Sequence, residues 1–295
     1  MKKLIITAIS LIIIGLTVFT GAFAALGFDL SKLNTLEYTS NTYTPEGEFD
    51  KIYIKADTAD VEILPSQDGQ CKVICEEKET APHKVWIEKG TLRIEVSRKK
   101  WYQKISFIRI GDEKISVYLP SNEYASITVN TDTGNVKLPK DFTFGTIKLD
   151  TDTGDISCAA ASENLVMTSD TGDVKLSGSA GKIRIESNTG DITLSDVAGK
   201  KLVLETDTGD VLLKNTVIDG HFEAESDTGD IEFQRFDATT MHIETDTGDV
   251  EGTLLSEKVF IVRTDTGDVD VPKSMSGGKC EIETDTGDVE ITIKK

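Results

Sequence analysis

The chain has 295 residues, 32 of them basic and 51 acidic, for a formal net charge of −19 at neutral pH. Residues 1–120 carry 16 basic and 16 acidic side chains and residues 121–295 carry 16 and 35, so the whole imbalance lies in the second part. That sign argues against nucleic acid or an anionic membrane surface as its ligand, because phosphate binding needs positive charge, and it suits the solubility of a long β structure.

Lys2 and Lys3 are followed by 25 uncharged residues, Leu4 to Phe28. A bilayer-spanning helix needs only ~20, and the two lysines favour an inside amino terminus. Residues 1–28 are therefore expected to form one transmembrane helix, a single-pass cell-membrane anchor that leaves the C-terminal domain outside the cytoplasm. Ala22-Phe23-Ala24 also fits a signal-peptide cleavage site, so secretion after cleavage near Ala24 is the alternative. Residues 29–49 read as a polar spacer.

Residues 50–120 read as an irregular N-terminal part or cap. Lys51-Ile-Tyr-Ile opens a strand, and Asp57-Thr58-Ala59-Asp60-Val61 is a degenerate copy of the turn described next. Further strands are expected around Cys71–Cys75, 85–88, 92–96 and 115–119. Four residues along a strand span ~13 Å, beyond disulfide reach for Cys71 and Cys75, and no CxxC pattern is present. Arg98-Lys-Lys-Trp-Tyr-Gln-Lys104 is the one basic, aromatic cluster, read as an exposed excursion between strands, with contact to lipid headgroups or anionic wall polymer as the alternative. His83, His221 and His242 show no ligand spacing.

Residues 121–295 repeat one phrase nine times, Ser/Thr-Asp/Asn-Thr-Gly-Asp/Asn-Val/Ile, with Gly134, Gly154, Gly172, Gly190, Gly209, Gly229, Gly248, Gly267 and Gly287 spaced 18–20 apart. A period near 19 signals a repeat architecture. Apolar residues fall seven and five before each glycine and two and four after it, as in Leu202, Leu204, Val211 and Leu213. That alternation predicts two half-buried strands per repeat, and the glycine supplies the positive φ of a tight turn. One repeat buries too little to fold alone, so the coils must stack. The fold expected is all-β: a parallel β-solenoid of ~19 residues and two to three short strands per coil, with like residues in ladders ~4.8 Å apart, an antiparallel meander being the alternative. Weak apolar positions at Ala180, Ala198, Ile218, Phe236, Leu255 and Met275 hint at a third short side. Cys158 and Cys280 fall in core columns as stand-ins for aliphatic residues, and the terminal Ile291-Thr-Ile-Lys-Lys reads as a charged closure of the last edge.

With these parts in view the chain resembles the bacterial "putative adhesin" family. The matching features are the membrane anchor, the opening Ile-x-Ile strand, Leu92-Arg-Ile-Glu-Val, Ile115-Ser-Val-Tyr-Leu-Pro120 leading to Ile127-Thr-Val, and the run of Thr-Gly-Asp turns. The resemblance covers roughly residues 50–295. It implies a β-solenoid-like domain at the cell envelope and little chemistry.

Repeats make long regular surfaces, whereas catalysis needs one irregular place. Asp-Thr-Gly is also the aspartic-protease signature, but here it recurs in columns instead of one converging pair. No catalytic residue, enzyme activity or cofactor is expected. Calcium is the sharper alternative, since it takes six to eight oxygens. Its candidate ligands are Asp152, Asp155, Asp170, Asp173, Asp207, Asp210, Asp227, Asp230, Asp246, Asp249, Asp265, Asp268, Asp285 and Asp288. Each turn offers only two carboxylates, so the leading reading assigns no metal. The expected function is a non-enzymatic, membrane-anchored, adhesin-like surface protein presenting a repetitive acidic solenoid. Its partner would be an envelope polymer, a protein or another copy of itself. The alternative is a regulatory ectodomain in envelope-stress signalling that contacts a sensor protein.

Overall fold

The computed structural model describes residues 38–79, 81–97 and 113–294, together with helical positions 12, 14, 15, 17, 20 and 21. The expected anchor, as a continuous segment, and the cluster Arg98–Lys104 lie outside the described residues. Among the described residues no helix is long and apolar enough to cross a membrane.

Each repeat supplies one long strand and one short strand, on either side of the glycine turn. Glu123–Thr133, Thr143–Thr153, Ala161–Thr171, Ala180–Thr189 and Ala198–Thr208 stack in parallel as one sheet. Val136–Leu138, Ile156–Cys158, Val174–Leu176, Ile192–Ser195 and Val211–Lys214 stack in parallel as the facing sheet. The expected columns are the observed ones. Ile127, Ile147, Leu165, Ile183, Leu202, Phe222 and Met241 are successive partners in the long-strand sheet. Val136, Ile156, Val174, Ile192, Val211, Ile231 and Val250 do the same opposite them. All fourteen are at most 2% exposed. Full burial of such side chains is worth roughly 1.5–3 kcal/mol each, and only the neighbouring rungs provide it.

The coil has two sides, not three. The candidates for a third side scatter: Ile218 and Phe236 are buried, Ala198 is exposed and Met275 is 99% exposed. Ile231–Thr247 passes from one sheet to the other as a single 17-residue strand. The far corner is instead turned by a single left-handed residue in three successive rungs, Asp196, Asn215 and Arg235, with φ of 57°, 47° and 63°.

Rung order departs from chain order at both ends. Lys51–Ala56 and Ala59–Pro65 lie between the rung of residues 91–119 and that of residues 123–138. Gly278–Thr286 and Val289–Ile293 lie between the rung of residues 241–254 and that of residues 258–270. Ile291 onward therefore does not close the edge, as its charge led us to expect. The outermost rung is Lys258–Thr266 with Val269–Asp270, where Ile261 and Val269 are 40% and 47% exposed. The opposite end is covered by antiparallel strands. His83–Glu88 pairs with Thr91–Val96, Lys72–Lys78 with Glu113–Leu119, and Tyr38–Tyr43 with Lys72–Lys78.

Candidate functional site

The repeated turn is built by backbone packed on backbone. Eight of the nine turn glycines have φ between 141° and 158°, Gly287 being outside that set. The stronger constraint is contact. A Cβ on any of the nine would sit 2.0–2.3 Å from the carbonyl oxygen of the turn in the adjacent rung. The column begins at Ala59, whose own carbonyl faces Gly134. The degenerate Ala turn is thus the first rung of the same ladder. The N–H of every turn glycine but Gly267, on the outermost rung, donates across rungs, as from Gly209 to the Thr228 carbonyl at 3.0 Å.

The residue after each glycine extends this ladder with its side chain. The Asn135 N–H donates to Asp60 Oδ1 at 2.7 Å, and the Asp155 N–H to Asn135 Oδ1 at 2.8 Å. The same bond recurs at Asp173, Asp191, Asp210, Asp230 and Asp249, then at Asp288 and Asp268 through the exchanged end, all within 2.7–3.2 Å. An inter-rung acceptor is what the position requires, and the Asn135 amide oxygen meets it as well as a carboxylate does. The Ser/Thr three before each glycine faces inward and donates to the adjacent glycine carbonyl at five rungs, as from Thr151 to Gly134 at 3.2 Å. Thr131, Thr206, Ser226 and Thr245 are buried at this position without a partner.

The fourteen aspartates named as calcium candidates therefore divide. Asp155, Asp173, Asp210, Asp230, Asp249, Asp268 and Asp288 belong to the inter-rung ladder, and all but Asp268 accept a backbone N–H from the next rung. Asp152, Asp170, Asp207, Asp227, Asp246, Asp265 and Asp285 are exposed in a parallel column. None of the Asp-Thr-Gly carboxylates is drawn into a buried pair.

The outer face of the long-strand sheet carries a second acidic column, which the turn motif does not mark. Glu186, Glu205, Glu225, Glu244 and Glu283 are consecutive register partners. Arg263 ends the series, with Nη1 3.4 Å from Glu283 Oε2. Arg184 pairs with Glu186 and, at 2.7 Å, with Glu205. Desolvation and the flanking Glu205 and Glu244 push the Glu225 carboxyl above its ordinary 4.5. Ordinary strand spacing puts these carboxylates ~4.8 Å apart, where like charges repel by roughly 1 kcal/mol in water.

Two further features lie away from the turn column. A groove of about 640 Å³ beside Val217 and Leu255 holds Lys258, 2% exposed, with Nζ 2.5 Å from both Asp237 Oδ1 and Ser256 Oγ. Its ammonium is already matched by Asp237. The other feature lies in the covered end, where Cys75, Glu77 and His83 meet, each buried, with one potential ligand atom of each within 4.8 Å of the others. Glu77 Oε2 accepts from the His83 backbone N–H and faces His83 Nδ1, both at 2.6 Å. Glu77 Oε1 accepts from Asn41 at 2.7 Å and the Tyr43 hydroxyl at 3.2 Å. Burial, then the charge of Glu77, push the Cys75 thiol up to about 12. His83 carried no signal in the sequence, since its partners come from another strand through the antiparallel cap. Cys71, Cys75, Cys158 and Cys280 are all free thiols, and the last two are buried in the core columns as expected.

Stacked rungs with a backbone-on-backbone glycine column define a parallel β-solenoid repeat protein. Residues 49–237 and 222–295 match the Toastrack DUF4097 family, and the chain belongs to it. It is similar, at 15% identity and a TM-score of 0.54 over 87% of this chain and 97% of the other, to a "putative adhesin" from Bacteroides fragilis NCTC 9343. A "putative lipid binding protein" from Parabacteroides distasonis ATCC 8503 aligns at 17% identity and a TM-score of 0.41 over 89% and 98% of the two chains. A "putative adhesin" from Parabacteroides merdae ATCC 43184 aligns at 10% and 0.41 over 88% and 97%. No curated protein matches.

Proposed function

We propose that this chain is a non-enzymatic, adhesin-like protein of the cell envelope. Its outer long-strand face binds a partner carrying closely spaced positive charge, an envelope polymer or a basic protein surface. The observation that carries the reading is the Glu186–Glu283 column running beside the exposed Asp column. Such a surface offers a carboxylate at each rung from Glu186 to Glu283, which favours extended partners over a single small substrate. The adhesin description of the Bacteroides fragilis protein agrees with it. The apolar run Leu4–Phe28 supports display from the membrane with the repeats outside. The uncapped rung of residues 258–270 gives self-association a route.

The test is co-sedimentation of the purified chain with isolated envelope fractions. Binding is expected to weaken with salt, as screening of exposed charges requires, and to fall at least about tenfold when Glu205, Glu225 and Glu244 are all changed to Lys. Salt-insensitive binding that survives the triple variant sinks the proposal.

A further inference from the structure

Cys75, Glu77 and His83 form a side-chain cluster that neither the repeat surface nor the stacking of rungs accounts for. Cys75 and Glu77 stand two apart on Lys72–Lys78, which belongs to the cap of the short-strand sheet. His83 opens His83–Glu88, which caps the long-strand sheet. The cluster thus ties the two sheets together at the covered end. All three residues are nearly inaccessible, at 0%, 0% and 3% exposure.

A structural hydrogen-bond network explains only part of it. Glu77 accepts from Asn41, Tyr43 and the His83 backbone and faces His83 Nδ1. His83 Nε2 is buried and has no partner, and the Cys75 thiol makes no hydrogen bond in the network. Leaving a buried polar atom unmatched is costly, and buried polar atoms in native proteins are nearly always matched. The two groups left over are an imidazole nitrogen and a thiol, both good metal ligands, beside a carboxylate.

We propose that Cys75, Glu77 and His83 form a binding site for a zinc-class transition-metal ion. The donor set decides the class. Sulfur, nitrogen and oxygen together suit zinc or cobalt, whereas calcium and magnesium take oxygen alone. The geometry is close. Ligand atoms around a tetrahedral zinc lie ~3.3–3.8 Å apart, from metal–ligand bonds of ~2.0–2.3 Å. One donor atom from each of the three residues lies within 4.8 Å of the others, a limit ~1 Å above the edge of such a shell. A bound ion would clamp the cap, because its binding energy adds to folding when the unfolded chain holds no such site. This inference is independent of what the outer face binds.

The experiment loads the metal-stripped full chain with Zn²⁺ or Co²⁺. One ion per chain is expected, with a thiolate-to-cobalt charge-transfer band. Affinity is expected to fall at least about 100-fold in Cys75→Ser and in His83→Gln, and to stay unchanged in Cys158→Ser, whose thiol is buried in the repeat core. Should the ligand variants fail to fold, X-ray absorption of the wild-type cobalt form reads the shell directly, expected to show one sulfur with nitrogen and oxygen. Substoichiometric binding, a cobalt spectrum without thiolate, or full affinity in folded Cys75→Ser overturns the site.

Discussion

The glycine of each turn is fixed by what lies under it more than by its own dihedral angle. A Cβ on Gly209 would stand 2.2 Å from the Gly190 carbonyl oxygen, while φ is 148°. Gly69 separates the two causes, since its φ is +72° but nothing lies within 4 Å of a Cβ there. Gly69→Ala should cost only the conformational part, about 1–2 kcal/mol. Gly209→Ala adds overpacking of backbone on backbone and should cost roughly 2–5 kcal/mol. Denaturant unfolding of both variants checks this, and equal losses would return the explanation to φ. The following aspartate is set by an acceptor requirement. Asp173→Asn should leave stability within about 0.5 kcal/mol, because Asn135 already fills the role in its own rung. Asp173→Ala should lose about 1 kcal/mol, the net worth of the bond its carboxylate accepts from the Asp191 N–H. With those carboxylates engaged in the ladder, a calcium-selective chelator is expected to leave the melting temperature unchanged.

A column is the next unit, and its energetics are those of a row of like groups. In the folded chain Glu225 holds its proton more tightly than its ordinary 4.5 allows, from desolvation and the charges of Glu205 and Glu244. Between 4.5 and that raised value the folded state binds more protons than the unfolded state. Stability contributed by this group is therefore present on the acid side and is lost as pH rises through the window. Glu225→Gln should raise the melting temperature at pH 7 and reduce the loss of stability between pH 4 and pH 7. A scan of melting temperature against pH for both proteins tests the sign, and a lower melting temperature at pH 7 would mean the column is held by unseen favourable contacts. The columns themselves were legible in the sequence because a period near 19 and a period of 2 superpose only if equivalent residues stack. The reason for the glycine was not legible, since a tight turn and a close backbone contact select the same residue. His83 was hidden for a different reason. Local spacing says nothing about which antiparallel cap strand will fold over which, and Cys75 and His83 sit on strands of different sheets.

At the scale of the whole molecule, identical rungs make rung order invisible to pattern reasoning. Any Thr-Asp-Thr-Gly-Asp turn can sit on any other with the same register, so the exchange at each end leaves every column intact. Val250 pairs with Val289, and Val289 with Val269, although Val269 comes first in the chain. The exchange has a consequence for fraying, which ordinarily concentrates at chain ends. Lys51–Pro65 and Gly278–Ile293, the two regular rungs nearest the ends of the repeat domain, are each held between two others. Gly278–Ile293 follows Lys258–Asp270 in the chain yet lies inside it in the stack, so it joins the outermost rung to the rest. Cross-linking distinguishes this order from simple succession. Glu251 and Glu290 are direct partners, and Glu290 partners Asp270 on its other side. Two rung spacings separate Glu251 from Asp270, ~9.6 Å, beyond the ~7 Å Cα limit of a disulfide. Under mild oxidation, Glu251→Cys with Glu290→Cys should cross-link readily in the folded chain, and Glu251→Cys with Asp270→Cys should not. Mass spectrometry of the intact chain reads both, and the reverse outcome would mean that the rungs stack in chain order.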